Sequence, residues 1–132
     1  MKKILVIDDD EDITFIVEMA LAEKYIIKVR NDTKNLIGVI EDFLPNIILL
    51  DNYIGNKLAQ EIVTEIRQHE AIKDVPLILF SAHDDIAKLA ENINASGFLP
   101  KPFELESLYS TIENILVEIN SKSGHTSLHN EN

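Results

Sequence analysis

The sequence predicts an α/β domain built on a parallel sheet, and three observations lead to this fold class. Short apolar runs rich in Ile, Leu and Val alternate with longer segments of helical periodicity. The 132 residues fit one domain, and 45% of them are hydrophobic, enough for one core. Polar or charged residues close the apolar runs at one end. A repeated strand–helix alternation is typical of α/β folds with right-handed crossovers.

Five apolar runs are predicted to be strands. Continuous apolar runs suit central parallel strands, because helices cover both faces of such strands. The second run is interrupted by Lys28 and is typical of an edge strand, and the fifth is short and bounded by Gly97 and Pro100. In chain order the runs are 4–7, 26–29, 47–50, 77–80 and 98–99.

Each apolar run is followed by a stripe of apolar residues at helical spacing, which predicts five helices. The last stripe is the longest, so the final helix is expected to pack on the sheet. The stripes comprise Ile13, Ile16, Val17, Ala20 and Leu21; Leu36, Ile40 and Phe43; Ile62, Val63 and Ile66; Ile86, Leu89, Ala90 and Ile93; and Leu105, Leu108, Tyr109, Ile112, Ile115, Leu116 and Ile119.

The domain is expected to span residues 1–120, followed by a disordered polar tail over residues 121–132. The tail carries one large apolar residue, Leu128, and cannot form a second core. Its two histidines, His125 and His129, are interpreted as solvated residues rather than metal ligands.

Composition excludes several classes of protein. There is no cysteine, so a disulfide framework, a thiolate metal site and a cysteine nucleophile are ruled out. The formal net charge of −11 repels phosphate backbones, so no direct nucleic-acid binding is expected. The first apolar run is too short for a signal peptide or a membrane span. We therefore expect a cytoplasmic protein that is not associated with a membrane.

The residues that close the apolar runs are the candidate functional residues. Ligands of open parallel sheets lie outside the carboxyl ends of the strands, where this sequence has Asp8, Asp9, Asp51, Ser81 and Lys101. Clustered carboxylates repel one another unless a cation compensates, and oxygen-only ligands favour Mg²⁺. A lysine and a hydroxyl supply the remaining contacts for a phosphoryl group on an aspartate.

The structural alternative is that these acids and hydroxyls cap helices. Asp10 or Asp9 would cap the first helix, and Ser81 or Asp84 would cap the fourth. The joint occurrence of such residues at four strand ends favours the functional interpretation over separate caps.

Four segments together resemble the receiver domains of the two-component response-regulator family. Residues 4–10 are similar to the opening strand and its acidic pair, and residues 45–51 to the phospho-acceptor strand. Residues 79–82 resemble the strand that ends in a switch hydroxyl, and residues 97–103 the Lys-Pro-Phe loop. The match runs in order from residue 3 to about residue 119 at the family's spacing.

The resemblance implies a fold and a set of roles. The fold is a flavodoxin-like (βα)5 domain with a five-stranded parallel sheet in the order 2-1-3-4-5 and helices on both faces. Asp51 is the implied phospho-acceptor. Lys101 contacts the phosphate, Ser81 and Phe98 form the switch, and the Lys101–Pro102 bond is cis. The implied Mg²⁺ ligands are Asp8, Asp9, Asp51 and the backbone carbonyl of Tyr53, with Asp9 more direct than Asp8.

The implied function is that of a single-domain response-regulator receiver. A histidine kinase or a phosphotransfer protein donates the phosphoryl group, and the modified chain switches its contact with a downstream protein. The chain is then no enzyme beyond self-phosphorylation from a donor and autodephosphorylation, and it is a monomer or a phosphorylation-dependent dimer.

The sequence departs from the family beside the acceptor, and two alternatives stay open. Gly55 stands where proline is usual and Ala59 where glycine is usual, which predicts a looser loop and an altered metal site. Tyr53 and His83 flank the site, where the family tunes dephosphorylation. One alternative is a degenerate receiver that acts as an interaction module without phosphorylation. The other is an aspartyl-phosphate phosphatase that uses Asp8 and Asp10, two residues apart.

Overall fold

A computed structural model gives the architecture of the chain. It describes the backbone of residues 1–131 and the side chains of residues 1–119. The elements are β1 (Lys3–Ile7), α1 (Glu11–Leu21), β2 (Ile26–Arg30), α2 (Leu36–Phe43), β3 (Ile47–Asp51), β4 (Tyr53–Ile54), β5 (Lys57–Leu58), α3 (Ala59–Ile66), β6 (Leu77–Ser81), α4 (Ile86–Asn92), β7 (Gly97–Pro100) and α5 (Leu105–Glu131).

The main sheet is parallel and five-stranded, in the order β2-β1-β3-β6-β7. This is the predicted order 2-1-3-4-5, renumbered because two short strands, β4 and β5, intervene after β3. The flavodoxin-like fold is therefore confirmed. β2 and β7 are the edge strands, as their interrupted or short apolar runs indicate.

Two apolar cores lie on opposite faces of the sheet. On one face the inward residues of the sheet pack against α2, α3 and α4. On the other they pack against α1 and α5. Successive strand residues alternate between the cores, so that Leu5 contacts one and Ile4 the other. Burial of each such side chain contributes about 1.5–3 kcal/mol, which explains why the central strands are apolar throughout.

Local signals fix where β3 begins and how it aligns with β1. α2 ends at Phe43, and Leu44 adopts a left-handed conformation with φ of 50° before Pro45. The Asn46 side chain then accepts a hydrogen bond from the Lys3 amide at 2.8 Å, and its amide donates to the Lys3 carbonyl at 2.7 Å. These bonds set the register in which Ile7 pairs with Leu50.

Three sequence predictions need correction or stay untested. The segment after Asp51, predicted to be a loop, contains the β4–β5 hairpin. α4 begins at Ile86 with Asp85 as the preceding residue, so neither Ser81 nor Asp84 caps it. The predicted tail, residues 121–132, lies outside the residues whose side chains are described, and that prediction stays untested.

Among the described residues, no helix combines the length and the apolar character that crossing a membrane requires.

Candidate functional site

The strand register brings the candidate residues to one edge of the sheet. Asp8 and Asp9 directly follow β1, Asp51 is the last residue of β3, and Lys101 directly follows β7. Because Ile7 pairs with Leu50, Asp8 emerges beside Asp51. One carboxylate oxygen from each of Asp8, Asp9 and Asp51 lies within 4.8 Å of the other two. The predicted convergence of the three acids is therefore present in the structure.

Lys101 is the cation of this site. Its Nζ lies 2.5 Å from Asp8 Oδ2 and 3.6 Å from Asp51 Oδ1. The ammonium also lies 4.7 Å from the centroid of the Phe80 ring, and the Lys101 amide donates to the Ser81 carbonyl at 2.9 Å. The bond between Lys101 and Pro102 is cis, as the resemblance implies. Lys101 is thus aimed at both carboxylates.

Asp8 is fully buried and is held by the backbone around it. Its Oδ1 accepts a hydrogen bond from the Asp10 amide at 3.0 Å. Asn31, which follows β2, donates from Nδ2 to the Asp8 carbonyl at 2.9 Å and to Thr14 Oγ1 at 2.9 Å. No sequence motif distinguishes Asn31, because a polar residue at the end of an edge strand resembles an ordinary turn residue.

Asp51 is partly buried next to another acid. Burial, and after it the charge of Asp8, raises the pKa of the Asp51 carboxyl from 3.8 to about 6. Lys101 and the Asn52 amide, which donates to Asp51 Oδ1 at 2.9 Å, act in the opposite direction. Burial and the neighbouring acid therefore outweigh the lysine and the Asn52 amide at Asp51.

Asp9 is the exposed member of the acid cluster and contacts the hairpin. Its Oδ2 accepts a hydrogen bond from the Gly55 amide at 3.0 Å. In the same hairpin the Ala59 amide donates to the Asn52 carbonyl at 2.8 Å. Since bonded and non-bonded pairs alternate in an antiparallel ladder, the Tyr53–Leu58 pair is non-bonded. The Tyr53 carbonyl therefore points away from Leu58.

The proposed switch residues lie on the two strands beyond β3. Ser81 ends β6, is 6% exposed, and accepts a hydrogen bond from the His83 amide on Oγ at 3.1 Å. His83 Nδ1 in turn accepts from the Asp85 amide at 3.0 Å. Phe98 on β7 is 42% exposed, so in this structure its side chain is only partly covered.

Asp10 does not join the acids. Its Oδ1 accepts hydrogen bonds from the Asp12 amide at 2.9 Å and the Ile13 amide at 3.3 Å. Asp10 is therefore the N-cap of α1, one of the two caps suggested for this helix by the sequence. The Asp10 carboxylate is thus bonded to the backbone of α1. This does not favour the phosphatase alternative, which requires Asp10 to face the substrate together with Asp8.

The donor set at the sheet edge fits a hard divalent cation. Three carboxylates supply oxygen ligands, and the Tyr53 carbonyl is oriented away from its own ladder. Mg²⁺ accepts one or two carboxylates and keeps several waters, so it needs no closed cage of protein ligands. The residues present thus fit the cation that the sequence implies.

Known proteins resemble this chain over most of its length. A family model described as the response regulator receiver domain matches residues 4–113. The transcriptional regulatory protein KdpE of Staphylococcus aureus is 30% identical over 113 residues, which are 83% of this chain and 48% of that protein. The response regulator ArlR of Staphylococcus saprophyticus is 28% identical over 119 residues, 88% of this chain and 53% of the relative. The chain thus spans about half the length of these two relatives.

Solved structures show the same fold. A putative response regulator from Chloroflexus aurantiacus is 27% identical with a TM-score of 0.79, covering 88% of this chain and 98% of that one. The chemotaxis protein CheY4 of Vibrio cholerae superposes with a TM-score of 0.80 at 23% identity, covering 87% of this chain and 98% of that chain. With the family match over residues 4–113, these findings show that the chain belongs to the response regulator receiver family.

Proposed function

We propose that Asp51 accepts a phosphoryl group from a histidine kinase or a phosphotransfer protein, and that this modification switches contacts with another protein. The observation that supports it best is the meeting of Asp51 with Asp8, Asp9 and Lys101 at one edge of the sheet. Two adjacent acids and one lysine provide what a phosphoryl group on the third acid needs, a cation site and an ammonium partner.

In the proposed reaction the Asp51 carboxylate is the nucleophile. An Asp51 oxygen forms a bond to phosphorus while the phosphorus–nitrogen bond of the donor phosphohistidine breaks. Lys101, 3.6 Å from Asp51 Oδ1, neutralises charge on the transferred group. Asp8, Asp9, Asp51 and the Tyr53 carbonyl would hold Mg²⁺, which when bound supplies positive charge to the phosphoryl oxygens.

The proposed switch uses Ser81 and Phe98. A phosphoryl oxygen beside Asp51 is an acceptor for the Ser81 hydroxyl, and a movement of Ser81 would disturb the bond from the His83 amide to its Oγ. That bond lies in the segment between β6 and α4. Phe98 is 42% exposed and has apolar area to bury when this segment moves. The result is a shift between two arrangements of α4 and β7.

A protein donor is supported by the surface beside the acids. α1 begins two residues after Asp9 and presents Phe15, Ile16 and Met19 to solvent, each at least half exposed. Apolar side chains grouped on one helix face are typical of protein contact surfaces. A donor that delivers a phosphoryl group to Asp51 approaches next to this helix, and we propose that it covers these residues.

The test is phosphorylation by a small phosphodonor such as acetyl phosphate, followed by intact mass spectrometry. With Mg²⁺ the chain is expected to gain one phosphoryl group, and excess chelator is expected to abolish the gain. Asp51→Asn removes the nucleophile and should stay unmodified. Asp74→Asn makes the same change at an exposed acid remote from the site and should behave like the parent.

Two results would contradict the proposal. Modification of Asp51→Asn to the level of the parent would place the phosphoryl group elsewhere. A folded parent that neither binds Mg²⁺ nor gains a phosphoryl group would instead favour the interaction module without phosphorylation.

A further inference from the structure

Gly55 is the first turn residue of the β4–β5 hairpin and has a φ of 62°. Side chains other than Asn, Asp and His rarely adopt this left-handed conformation. No atom outside its immediate neighbours lies within 4 Å of a Cβ built on Gly55, so packing does not require glycine here. The requirement comes from the backbone, through the path of the turn and the direction of the amide.

The Gly55 amide points out of the hairpin toward the acid cluster. The pairs Tyr53–Leu58 and Ile54–Lys57 leave Gly55 and Asn56 as a two-residue turn. The amide of the first turn residue has no ladder partner in such a hairpin. It donates to Asp9 Oδ2 at 3.0 Å, a bond between residues 46 positions apart. A proline, usual at this position in the family that the sequence resembles, has no N–H and cannot make this bond.

We propose that the Gly55 amide is a positioning donor for the cation site, an inference that rests on the proposed function. The bond holds the exposed carboxylate of Asp9 toward Asp8 and Asp51. The same bond holds the tip of the hairpin whose first strand contains Tyr53. The base of the hairpin is held by the bond from the Ala59 amide to the Asn52 carbonyl at 2.8 Å. Two of the proposed ligands, the Asp9 carboxylate and the Tyr53 carbonyl, are thereby set at a fixed separation.

The physical gain is preorganisation. An exposed aspartate samples several rotamers, and fixing one of them on cation binding lowers affinity. The hydrogen bond from the Gly55 amide restricts the Asp9 side chain and so removes part of that cost. Hydrogen-bond partners behind metal ligands typically change metal affinity by about 10- to 100-fold when they are lost. The departure from proline at Gly55 is thus explained as the gain of a donor.

The decisive experiment replaces the amide of Gly55 with an ester, by incorporating glycolic acid at position 55 of the 132-residue chain. This change removes the N–H and leaves the turn free to keep its φ. The dissociation constant for Mg²⁺, measured by titration calorimetry, is expected to rise about 10-fold. The conservative variant Gly55→Asn keeps the amide, tolerates positive φ, and has space for its Cβ, so its Mg²⁺ affinity should stay within about twofold of the parent.

The melting midpoint in chelator separates positioning from a general loss of stability. A positioning role predicts that the ester variant differs from the parent mainly in the Mg²⁺ titration. An ester variant that binds Mg²⁺ as tightly as the parent would overturn the inference, and so would an equal loss of affinity in Gly55→Asn. If the ester variant does not fold, amide hydrogen exchange of the parent in chelator is the second measurement. A protected Gly55 N–H is expected, and exchange as fast as in an unstructured chain would overturn the inference.

The outcome for the parent chain distinguishes this inference from the proposed function. If the parent binds Mg²⁺ and is phosphorylated on Asp51, but the ester variant binds Mg²⁺ equally tightly, only the positioning role of Gly55 is contradicted. A parent with no Mg²⁺ binding and no phosphorylation removes the proposed function, and with it the site that Gly55 would position.

Discussion

Single residues at the acid site show a deficit of positive charge. Lys101 is shared between the buried Asp8 and the partly buried Asp51, at 2.5 Å and 3.6 Å. The raised pKa of Asp51, about 6, is the consequence, since burial and the neighbouring acid outweigh the single lysine. A charge deficit of this kind is what a divalent cation or a protonation event would relieve.

The deficit at Asp51 should appear as a pH dependence of stability in the metal-free chain. From about pH 4 to pH 6 the folded chain keeps the Asp51 proton while the unfolded chain releases it at its ordinary pKa of 3.8. The free energy of unfolding then falls as pH rises through this window. Asp51→Asn removes this contribution. At pH 7.5 in chelator, the free energy of unfolding of the variant should exceed that of the parent by about 1–2 kcal/mol, a value reduced to allow for the solvent exposure of Asp51.

Urea unfolding of both proteins at pH 4.5 and pH 7.5 measures this difference. The two proteins should differ less at the lower pH, because most of the fall in the parent's stability occurs between that pH and the raised pKa of Asp51. A difference that is the same at both values would show that Asp51 keeps its ordinary pKa.

Individual elements differ in how far the sequence predicted them. The central strands were predicted almost residue by residue, because burial on both faces demands continuous apolar runs such as 47–50. The β4–β5 hairpin was missed because each of its strands has two residues, too few for periodicity to register. Its signal was the Gly55-Asn56 dipeptide, which is typical of a two-residue hairpin turn.

The candidate site was predicted more fully in its side chains than in its backbone donors. Asp8, Asp51 and Lys101 could be placed because parallel strands end at one edge of a sheet. The contacts of Asp9 with Gly55 and of Asp8 with Asn31 depend on where the chain turns between elements. Residue type and spacing do not determine those paths, so no motif in the sequence revealed these bonds.

The cap of α1 allows a prediction at the scale of one element. Asp10 accepts two amide bonds at the start of the helix, so Asp10→Ala should lower the free energy of unfolding by about 1 kcal/mol. Asp10→Ser retains a capping oxygen and should be nearly neutral in urea unfolding. Both variants should accept a phosphoryl group from acetyl phosphate at the rate of the parent. A large loss of rate in both would show instead that the Asp10 carboxylate takes part in the chemistry.

At the scale of the whole molecule, the acid site joins strands that are far apart in the chain. Residues 8, 51 and 101 lie at the carboxyl ends of β1, β3 and β7, and the sheet packs between two apolar cores. A ligand at this site contacts only the folded arrangement. Binding at the sheet edge is therefore linked to the stability of the entire domain.

This linkage predicts the effect of ligands on thermal unfolding. Mg²⁺ at 100 times its dissociation constant should raise the free energy of unfolding by about 2.7 kcal/mol, seen as a higher midpoint in calorimetry. Beryllofluoride, a phosphoryl mimic, should raise the midpoint further when Mg²⁺ is present. Asp51→Asn should lose the second increment, because the mimic needs the acceptor carboxylate. An equal increment in this variant would indicate a beryllofluoride site away from Asp51.

The edge strand β7 affects whether copies of this chain associate by strand pairing at high concentration. Its last residue is Pro100, and the next amide, that of Lys101, already donates inward to Ser81. Since successive amides of a strand point to opposite sides, the missing N–H of Pro100 falls on the outer side. The outer edge of β7 therefore lacks one backbone N–H donor. This disfavours the pairing of a strand from another copy along this edge, and so disfavours fibril growth.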